Sequence, residues 1–186
     1  MSHIKITAAR TRQDILGILK LQKENLAANV SPEEAKSQGF VTVKHDFSIL
    51  HEMNQKHPHT IAKNSDEVVG YALVMLQEFS TKISVLLPMF KRINALRYQN
   101  NIIQPDQYFI MGQICIAKSH RSQGVFAALY QGMKQQMSPH FKFIITEIAE
   151  TNTRSIRAHE KVGFETLDIY SSKGVMWRIV LLNLQH

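Results

Sequence analysis

The chain has almost no cysteine and no long apolar run. Cys115 is the single cysteine among 186 residues, so no internal disulfide can form, and we expect a location in the reducing cytoplasm. No stretch approaches the roughly 18 to 20 apolar residues that span a bilayer, so we expect no membrane insertion. The first residues lack the apolar core of a signal peptide, and their alternation predicts a first strand over residues 4–9.

Clustered charge is also missing, although basic residues are in excess. The formal net charge is +7, and such a surface attracts polyanions. No run of five or more Lys or Arg occurs, and the densest group, Lys91, Arg92 and Arg97, is predicted on one face of a helix. This distribution favours a solvated basic surface and leaves a nucleic-acid-binding domain as the weaker alternative.

Several common catalytic arrangements are absent from the sequence as well. His51, His57 and His59 lie close together, but no cysteine or carboxylate completes a tetrahedral set, so we expect no metal site. Cys115 lies within an apolar strand, which favours a buried thiol over a nucleophile. No Ser-His-Asp set with a nucleophile elbow is present, which argues against that class of hydrolase.

Hydrophobic periodicity predicts strands and helices along the whole chain. A capping box of Thr11 and Asp14 begins a first helix of about four turns. Further helices are predicted at 32–37, 47–56, 89–98, 124–137 and 152–162, and strands at 60–63, 68–75, 108–117, 141–148, 164–170 and 175–184. Apolar strands that alternate with helices predict an α/β fold with a mixed, partly parallel sheet covered on both faces. No linker or repeat interrupts the chain, so we expect a single domain, residues 1–186.

The most informative segment joins a buried strand to a helix between Ile116 and Phe126. The first N–H groups of a helix have no partners within it and lie at the positive end of its dipole. Gly124 allows the backbone to approach a ligand, and Lys118 and Arg121 add positive charge. These features predict a phosphate or pyrophosphate site; a plain strand–turn–helix connection is the alternative. The segment has neither a Walker lysine nor the glycines of a dinucleotide fingerprint.

The run Arg121-x-x-Gly124-x-Phe126, which follows Ile116, resembles the acetyl-CoA signature of the GNAT acetyltransferases, Arg/Gln-x-x-Gly-x-Gly/Ala. In that family the loop amides bind the pyrophosphate of CoA, and the preceding strand pairs with the pantetheine arm. Phe126 departs from the family pattern; its N–H is retained, but its bulk could displace the cofactor or the loop. The cofactor-binding residues that the resemblance implies are Ile116, Lys118, Arg121, Ser122, Gln123, Gly124, Val125, Phe126 and Asn152.

A second motif, Asn152 to Phe164, is similar to the family's later motif, in which an asparagine precedes a Tyr-Glu-Lys-x-Gly-Phe-like run. His159 stands where the family usually has the tyrosine near the thioester sulfur. The resemblance therefore implies that His159 protonates the CoA thiolate; packing within its helix is the alternative. The likeness covers nearly the whole chain except residues 30–58 and 79–107, and we expect the latter insertion to shape acceptor specificity.

The resemblance implies the GNAT fold, a central mixed sheet of about seven strands flanked by helices. It also implies an N-acetyltransferase that uses acetyl-CoA as cosubstrate, needs no metal and acts on a primary amine. Glu147 and Glu150, at the end of a predicted strand, are candidates for the general base; for each residue taken singly, a solvated loop or strand-edge carboxylate is the favoured alternative. Polyamines, amino acids, aminoglycosides and protein N-termini all remain candidate acceptors, and a homodimer stays open. A noncatalytic CoA-binding module is the main alternative to an enzyme.

Overall fold

The computed structural model describes residues 4–83 and 86–185. Within them the strands are β1 (Ile4–Ala8), β2 (Thr60–Asn64), β3 (Glu67–Met75), β4 (Arg97–Tyr98), β5 (Asn101–Ile102), β6 (Tyr108–Ile116), β7 (Phe143–Ala149), β8 (Glu165–Ser172) and β9 (Val175–Asn183). The helices are α1 (Arg12–Glu24), α2 (Pro32–Gln38), α3 (Phe47–Lys56), α4 (Leu87–Ile93), α5 (Val125–Met137) and α6 (Thr153–Val162). None of the helices in these ranges is long and apolar enough to cross a membrane.

Seven of the strands form one mixed sheet, as the sequence predicted. Their order is β1-β2-β3-β6-β7-β9-β8, and β4 and β5 form a separate two-stranded sheet. Strands β6 and β7 are parallel, with Tyr108–Ile110 opposite Phe143–Ile145. The pairs β1–β2, β2–β3, β7–β9 and β8–β9 are antiparallel. The mixed sheet and its flanking helices confirm the predicted fold class.

The chain divides into two compact units. In the structure's described ranges, the first unit contains residues 4–74 and 112–136, and the second contains residues 75–111 and 137–185. Strand β6 contributes its first residues to the second unit and its last residues to the first.

The first unit packs helices on the two faces of its strands. Ile61 belongs to a buried cluster formed with α1 and α3. The next residue, Ala62, faces the other way, as strand alternation requires. On that side Gly70 lies against α5, because a Cβ there would approach Val125 Cγ1 to 3.3 Å and Leu129 Cδ1 to 3.4 Å. Glycine at this position therefore permits the close packing of α5 on β3.

The capping box at the start of α1 is formed as predicted. The backbone N–H of Asp14 donates to Thr11 Oγ1 at 3.1 Å, and the backbone N–H of Thr11 donates to Asp14 Oδ2 at 3.0 Å. Two N–H groups at the beginning of the helix are thereby satisfied, and the entry of the chain into α1 is set by local sequence.

The second unit contains an element that the sequence did not predict. Helix α4 ends at Ile93, and a hairpin of β4 and β5 follows, with left-handed φ angles of 48° at Gln99 and 66° at Asn100. These angles are typical of the two-residue turns that match strand twist. Arg97 therefore lies in β4, and the prediction that it shares a helix face with Lys91 and Arg92 was wrong. Strands of two residues carry no periodicity from which a hairpin could be predicted.

Candidate active site

The loop between β6 and α5 exposes the N-terminus of a long helix. Just beyond the end of β6, the N–H of Ala117 donates to Val69 O at 2.8 Å. A 3-10 turn follows over Lys118–His120. Helix α5 then begins, with the N–H of Ala128 donating to Gly124 O at 3.0 Å. The N–H groups before Ala128 have no acceptor within the helix and lie at the positive end of its dipole. The loop therefore offers backbone donors to an anion.

Gly124 leaves space beside these donors. Its φ is +80°, a left-handed conformation that side chains with a Cβ rarely adopt. A Cβ built on Gly124 would meet no atom within 4 Å, and Ser122, Gln123 and Gly124 are all exposed. An approaching phosphate group would thus meet backbone and not side-chain bulk at this point.

The side chain of Arg121 is bound by neighbouring protein groups. Its Nε donates to Ile116 O at 3.1 Å, its Nη1 to Glu34 Oε1 at 3.0 Å and its Nη2 to Asn25 Oδ1 at 2.6 Å. Lys118 Nζ lies 2.5 Å from Glu34 Oε2. The hydrogen bond from Lys118, reinforced by Arg121, lowers the pKa of Glu34 and keeps it ionised. The charge of both cations is therefore partly balanced, and an anion at this loop would be bound chiefly by backbone N–H groups.

The ring of Phe126, which departs from the family pattern, packs along α5. It lies edge-on to the ring of Tyr130 one turn later, with centroids 5.2 Å apart. Tyr130 is itself buried. This contact holds the large side chain against the helix, while the backbone N–H of Phe126 remains in the first turn.

In the second unit, Glu147 lies near the carboxyl end of β7 and binds a tyrosine. The hydroxyl of Tyr170 on β8 donates to Glu147 Oε2 at 2.7 Å. Burial raises the pKa of Glu147, and the hydrogen bond from Tyr170 opposes that rise in part. Glu147 is therefore a carboxylate with increased affinity for a proton, as a general base requires.

Glu150, three residues later, has the opposite environment. It accepts from Arg178 Nε at 2.5 Å and from Arg178 Nη2 at 3.2 Å, a bidentate pairing. The hydrogen bonds from Arg178 lower the pKa of Glu150. Two candidate bases that the sequence could not separate are thus distinguished by their partners, and Glu147 is the better suited to accept a proton.

Asn152 caps helix α6. Its side-chain oxygen accepts from the backbone N–H of Ser155 at 3.1 Å, and its own N–H donates to Ala149 O at 2.8 Å. The side-chain oxygen is committed to the cap, so the side-chain NH₂ is the group that this residue can offer to a ligand.

His159 is buried in α6 and contacts its own helix. The residue is only 1% exposed, and its Nδ1 lies 2.7 Å from Ser155 O. Its ring is edge-on to the ring of Phe164, with centroids 5.1 Å apart. Since a carbonyl only accepts, Nδ1 carries the proton of this hydrogen bond. Burial lowers the pKa of His159 to about 4, so the imidazole is neutral near pH 7. These contacts favour the packing role over the acid role.

Two features, one in each unit, could not be found from the sequence. Tyr170 and Arg178, the partners of the two glutamates, lie 23 and 28 residues further along the chain, and no local motif marks them. In the first unit a buried polar cluster links Gln113 to Tyr71 Oη at 2.6 Å and to Gln22 Nε2 at 3.0 Å. This cluster stabilises the packing of α1 on the sheet.

Across residues 4–83 and 86–185, no group of three or more His, Cys, Asp or Glu side chains is arranged to hold a metal ion. Cys115 is buried, and burial raises the pKa of its thiol to about 12. The thiol is therefore protonated near neutral pH, which does not suit a nucleophile.

Comparisons with known proteins point to one family. A family model described as the acetyltransferase (GNAT) family matches residues 24–164. A search of curated proteins found no match to the chain.

Solved structures share the fold at low sequence identity. A structure described as yncA, a putative acetyltransferase from Salmonella typhimurium with its cofactor acetyl-CoA, superposes with a TM-score of 0.65 at 14% identity, covering 100% of this chain and 96% of that one. An N-acetyltransferase from Staphylococcus aureus Mu50 gives a TM-score of 0.64 at 15% identity, with coverage of 99% and 100%. The ribosomal-protein-S18-alanine N-acetyltransferase from Escherichia coli gives 0.62 at 12% identity, with coverage of 99% and 96%.

Proposed function

Because the chain belongs to the acetyltransferase (GNAT) family, we propose that it transfers the acetyl group of acetyl-CoA to a primary amine. The observation that carries the proposal is the exposed N-terminus of α5, where Gly124 adopts a left-handed conformation beside open space. That loop supplies what a pyrophosphate needs, namely converging backbone N–H groups and a helix dipole.

The proposed binding mode uses backbone groups more than charged side chains. The pyrophosphate of CoA binds to the loop that ends at Phe126, and the pantetheine arm pairs with the end of β6. Successive N–H groups of a strand point to opposite edges, so the N–H of Ile116 points away from the edge where Ala117 bonds Val69. The proposal assigns that N–H to the ligand; without a ligand it lies against the Cys115 thiol. The residues assigned to acetyl-CoA are Ile116, Lys118, Arg121, Ser122, Gln123, Gly124, Val125, Phe126 and Asn152.

The proposed chemistry needs one base and one oxyanion donor. Glu147 takes a proton from the acceptor ammonium, directly or through water, and the free amine attacks the thioester carbonyl. The C–N bond forms, negative charge gathers on the carbonyl oxygen, and the N–H of Ile116 donates to it. The C–S bond then breaks, the CoA thiolate leaves, and it takes up the extra proton that the new amide nitrogen gives up. A thiolate is a tolerable leaving group, so the reaction does not depend on an acid at His159.

The same observations argue against the two alternatives. A noncatalytic module would be favoured if Phe126 blocked the loop, but its ring packs on Tyr130 and Gly124 borders open space. A nucleic-acid-binding surface requires free cations, whereas several basic side chains are paired with carboxylates. These pairs are Arg92 with Asp168, Lys118 and Arg121 with Glu34, and Arg178 with Glu150.

A cytoplasmic location and a single domain over residues 1–186 belong to the same proposal. The single cysteine supports a reducing compartment. The continuous order of the seven-stranded sheet supports one domain.

Two measurements test the proposed function. Calorimetric titration of the full chain with acetyl-CoA should show binding at one site, and mass spectrometry should detect an acetylated product from a panel of polyamines, amino acids, aminoglycosides and peptides. Binding without turnover on any amine would favour the noncatalytic module. Absence of acetyl-CoA binding would overturn the proposal.

A further inference from the structure

We infer that Tyr170 is a positioning residue, which orients the Glu147 carboxylate so that one of its oxygens can take the proton of the acceptor amine. The inference rests on the proposed function and assigns a role to a residue on β8 that no family motif marks. Its basis is the hydrogen bond of 2.7 Å from the Tyr170 hydroxyl to Glu147 Oε2.

The register of the sheet explains how two residues on non-adjacent strands meet. Strand β9 lies between β7 and β8, with Ile179 opposite Glu147 and Trp177 opposite Tyr170. Ile179 and Trp177 are two residues apart and point to the same face of the sheet. Glu147 and Tyr170 therefore share that face and are offset diagonally, so their long side chains reach across β9.

The direction of the hydrogen bond determines what Tyr170 can do. A phenol has one proton, and here that proton is directed to Glu147 Oε2. The carboxylate is thereby restrained in rotation, and Oε1 is left as the oxygen for proton transfer. Burial and the adjacent Glu147 raise the pKa of Tyr170, so its proton stays on the phenol near neutral pH. Tyr170 thus acts through Glu147 and does not itself transfer a proton.

The surroundings of Tyr170 keep it in place. Asp168, two residues earlier on β8, accepts from Arg92 Nε at 2.5 Å and from Arg92 Nη2 at 3.0 Å. This ion pair joins α4 to β8 beside Tyr170. Tyr170 and Asp168 from β8 and Arg92 from α4 are the charged or titratable groups that these contacts place on this side of Glu147, while β9 presents Ile179 and Trp177. Arg178, on the alternate face of β9, binds Glu150.

The test replaces the hydroxyl alone. In Tyr170→Phe the hydrogen bond that lowers the pKa of Glu147 is lost, so this pKa should rise. The rise is measured by carbon-13 NMR titration of labelled glutamate, with Glu147→Gln used to assign the signal. The acid limb of the pH profile of kcat/KM should move to higher pH, and kcat/KM near neutral pH should fall by about tenfold, while acetyl-CoA affinity is kept.

Tyr98→Phe is the matched control within the same unit. The Tyr98 hydroxyl lies 3.5 Å from Glu165, an exposed carboxylate, so its removal should shift neither the Glu147 signal nor the pH at which the acid limb falls, whatever it does to the KM of the acceptor. Thermal unfolding checks that both variants fold. Should Tyr170→Phe not fold, 3-fluorotyrosine introduced at position 170 keeps the shape and strengthens the donor, and the pKa of Glu147 should then fall.

The possible failures are distinguishable. Suppose that the wild-type protein is active, but the pKa of Glu147 and the acid limb of the pH profile are unchanged in Tyr170→Phe or in the fluorotyrosine variant. The role of Tyr170 is then overturned, and the proposed function still stands. A wild-type protein that acetylates no amine overturns the proposed function, and with it the inference.

Discussion

Two segments of the chain differ in which groups can do chemistry. One is the loop from Ile116 to Phe126, and the other runs from Glu147, near the end of β7, to Asn152. In the loop the charged side chains are engaged with Glu34 and Asn25, and the backbone provides the donors. At the end of β7 the strand passes into a turn at Glu150 and Thr151, and there the environment of a carboxylate side chain decides the chemistry. A short motif can specify a backbone conformation, whereas a side chain's proton affinity depends on partners that are distant in the chain.

The largest expected effect separates the two glutamates. Glu147→Gln removes the proposed base and should lower kcat/KM by about a hundredfold to a thousandfold, with acetyl-CoA affinity unchanged. Glu150→Gln removes a carboxylate already held by Arg178 and should change kcat/KM by less than about fivefold. Steady-state kinetics on both variants check this. Equal losses would show that the different partners of Glu147 and Glu150 do not decide the base.

The second prediction concerns the backbone of the loop. Gly124→Pro cannot adopt a φ of +80° and lacks an N–H, so the dissociation constant of acetyl-CoA should rise by about a hundredfold. Gly174→Pro is the matched control, because Gly174 has a φ of +77° and no atom lies within 4 Å of the position that its Cβ would take. Gly174 differs in location, since it lies in the turn between β8 and β9. The substitution should cost similar stability and leave acetyl-CoA binding intact. Calorimetric titration of both variants distinguishes a local effect from general destabilisation.

The third prediction concerns pH and His159. The folded state keeps this imidazole neutral with a pKa of about 4, whereas the unfolded chain binds a proton with a pKa near 6.5. Between these values the unfolded state binds more protons, so stability is lost as the pH falls below about 6.5. His159 should therefore account for about 2 kcal/mol of the stability lost between pH 8 and pH 5. Urea unfolding of His159→Phe should show a loss smaller by that amount.

Kinetics of the same variant separate the two roles of His159. If the residue only packs, kcat near neutral pH should change by less than about threefold. A fall of roughly tenfold or more with acetyl-CoA affinity kept, partly restored in His159→Tyr, would instead support the acid role.

The smallest expected effect tests whether the insertion of residues 79–107 contributes to acceptor recognition. Arg92→Ala breaks the ion pair with Asp168, which joins α4 to β8, and should raise the KM of the acceptor by about twofold to fivefold. The affinity for acetyl-CoA should not change, because the insertion is assigned to acceptor recognition. Arg97→Ala, which removes a contact with the Asn100 carbonyl in the hairpin, is the comparison variant. A parallel loss of acetyl-CoA affinity in Arg92→Ala would contradict this division of roles.

The local sequence was sufficient to predict those elements whose structure depends on residues close by in the chain. The capping box of Thr11 and Asp14 and the range Phe47–Lys56 of α3 were predicted as observed, because caps and helical periodicity act over a few residues. The hairpin of β4 and β5 was not predicted, because its strands are too short to show alternation.

By itself the sequence determined the mixed α/β fold and the position of the loop proposed to bind an anion, since both follow from hydrophobic patterning and from one strand–loop–helix motif. Only the tertiary structure decided how the side chains are used. In the folded chain the Arg121 guanidinium binds Asn25, 96 residues away, and Glu34, 87 residues away. Tyr170 likewise contacts Glu147 only because the chain is folded. Burial and hydrogen-bond partners set proton affinity, and both arise only when distant segments pack together.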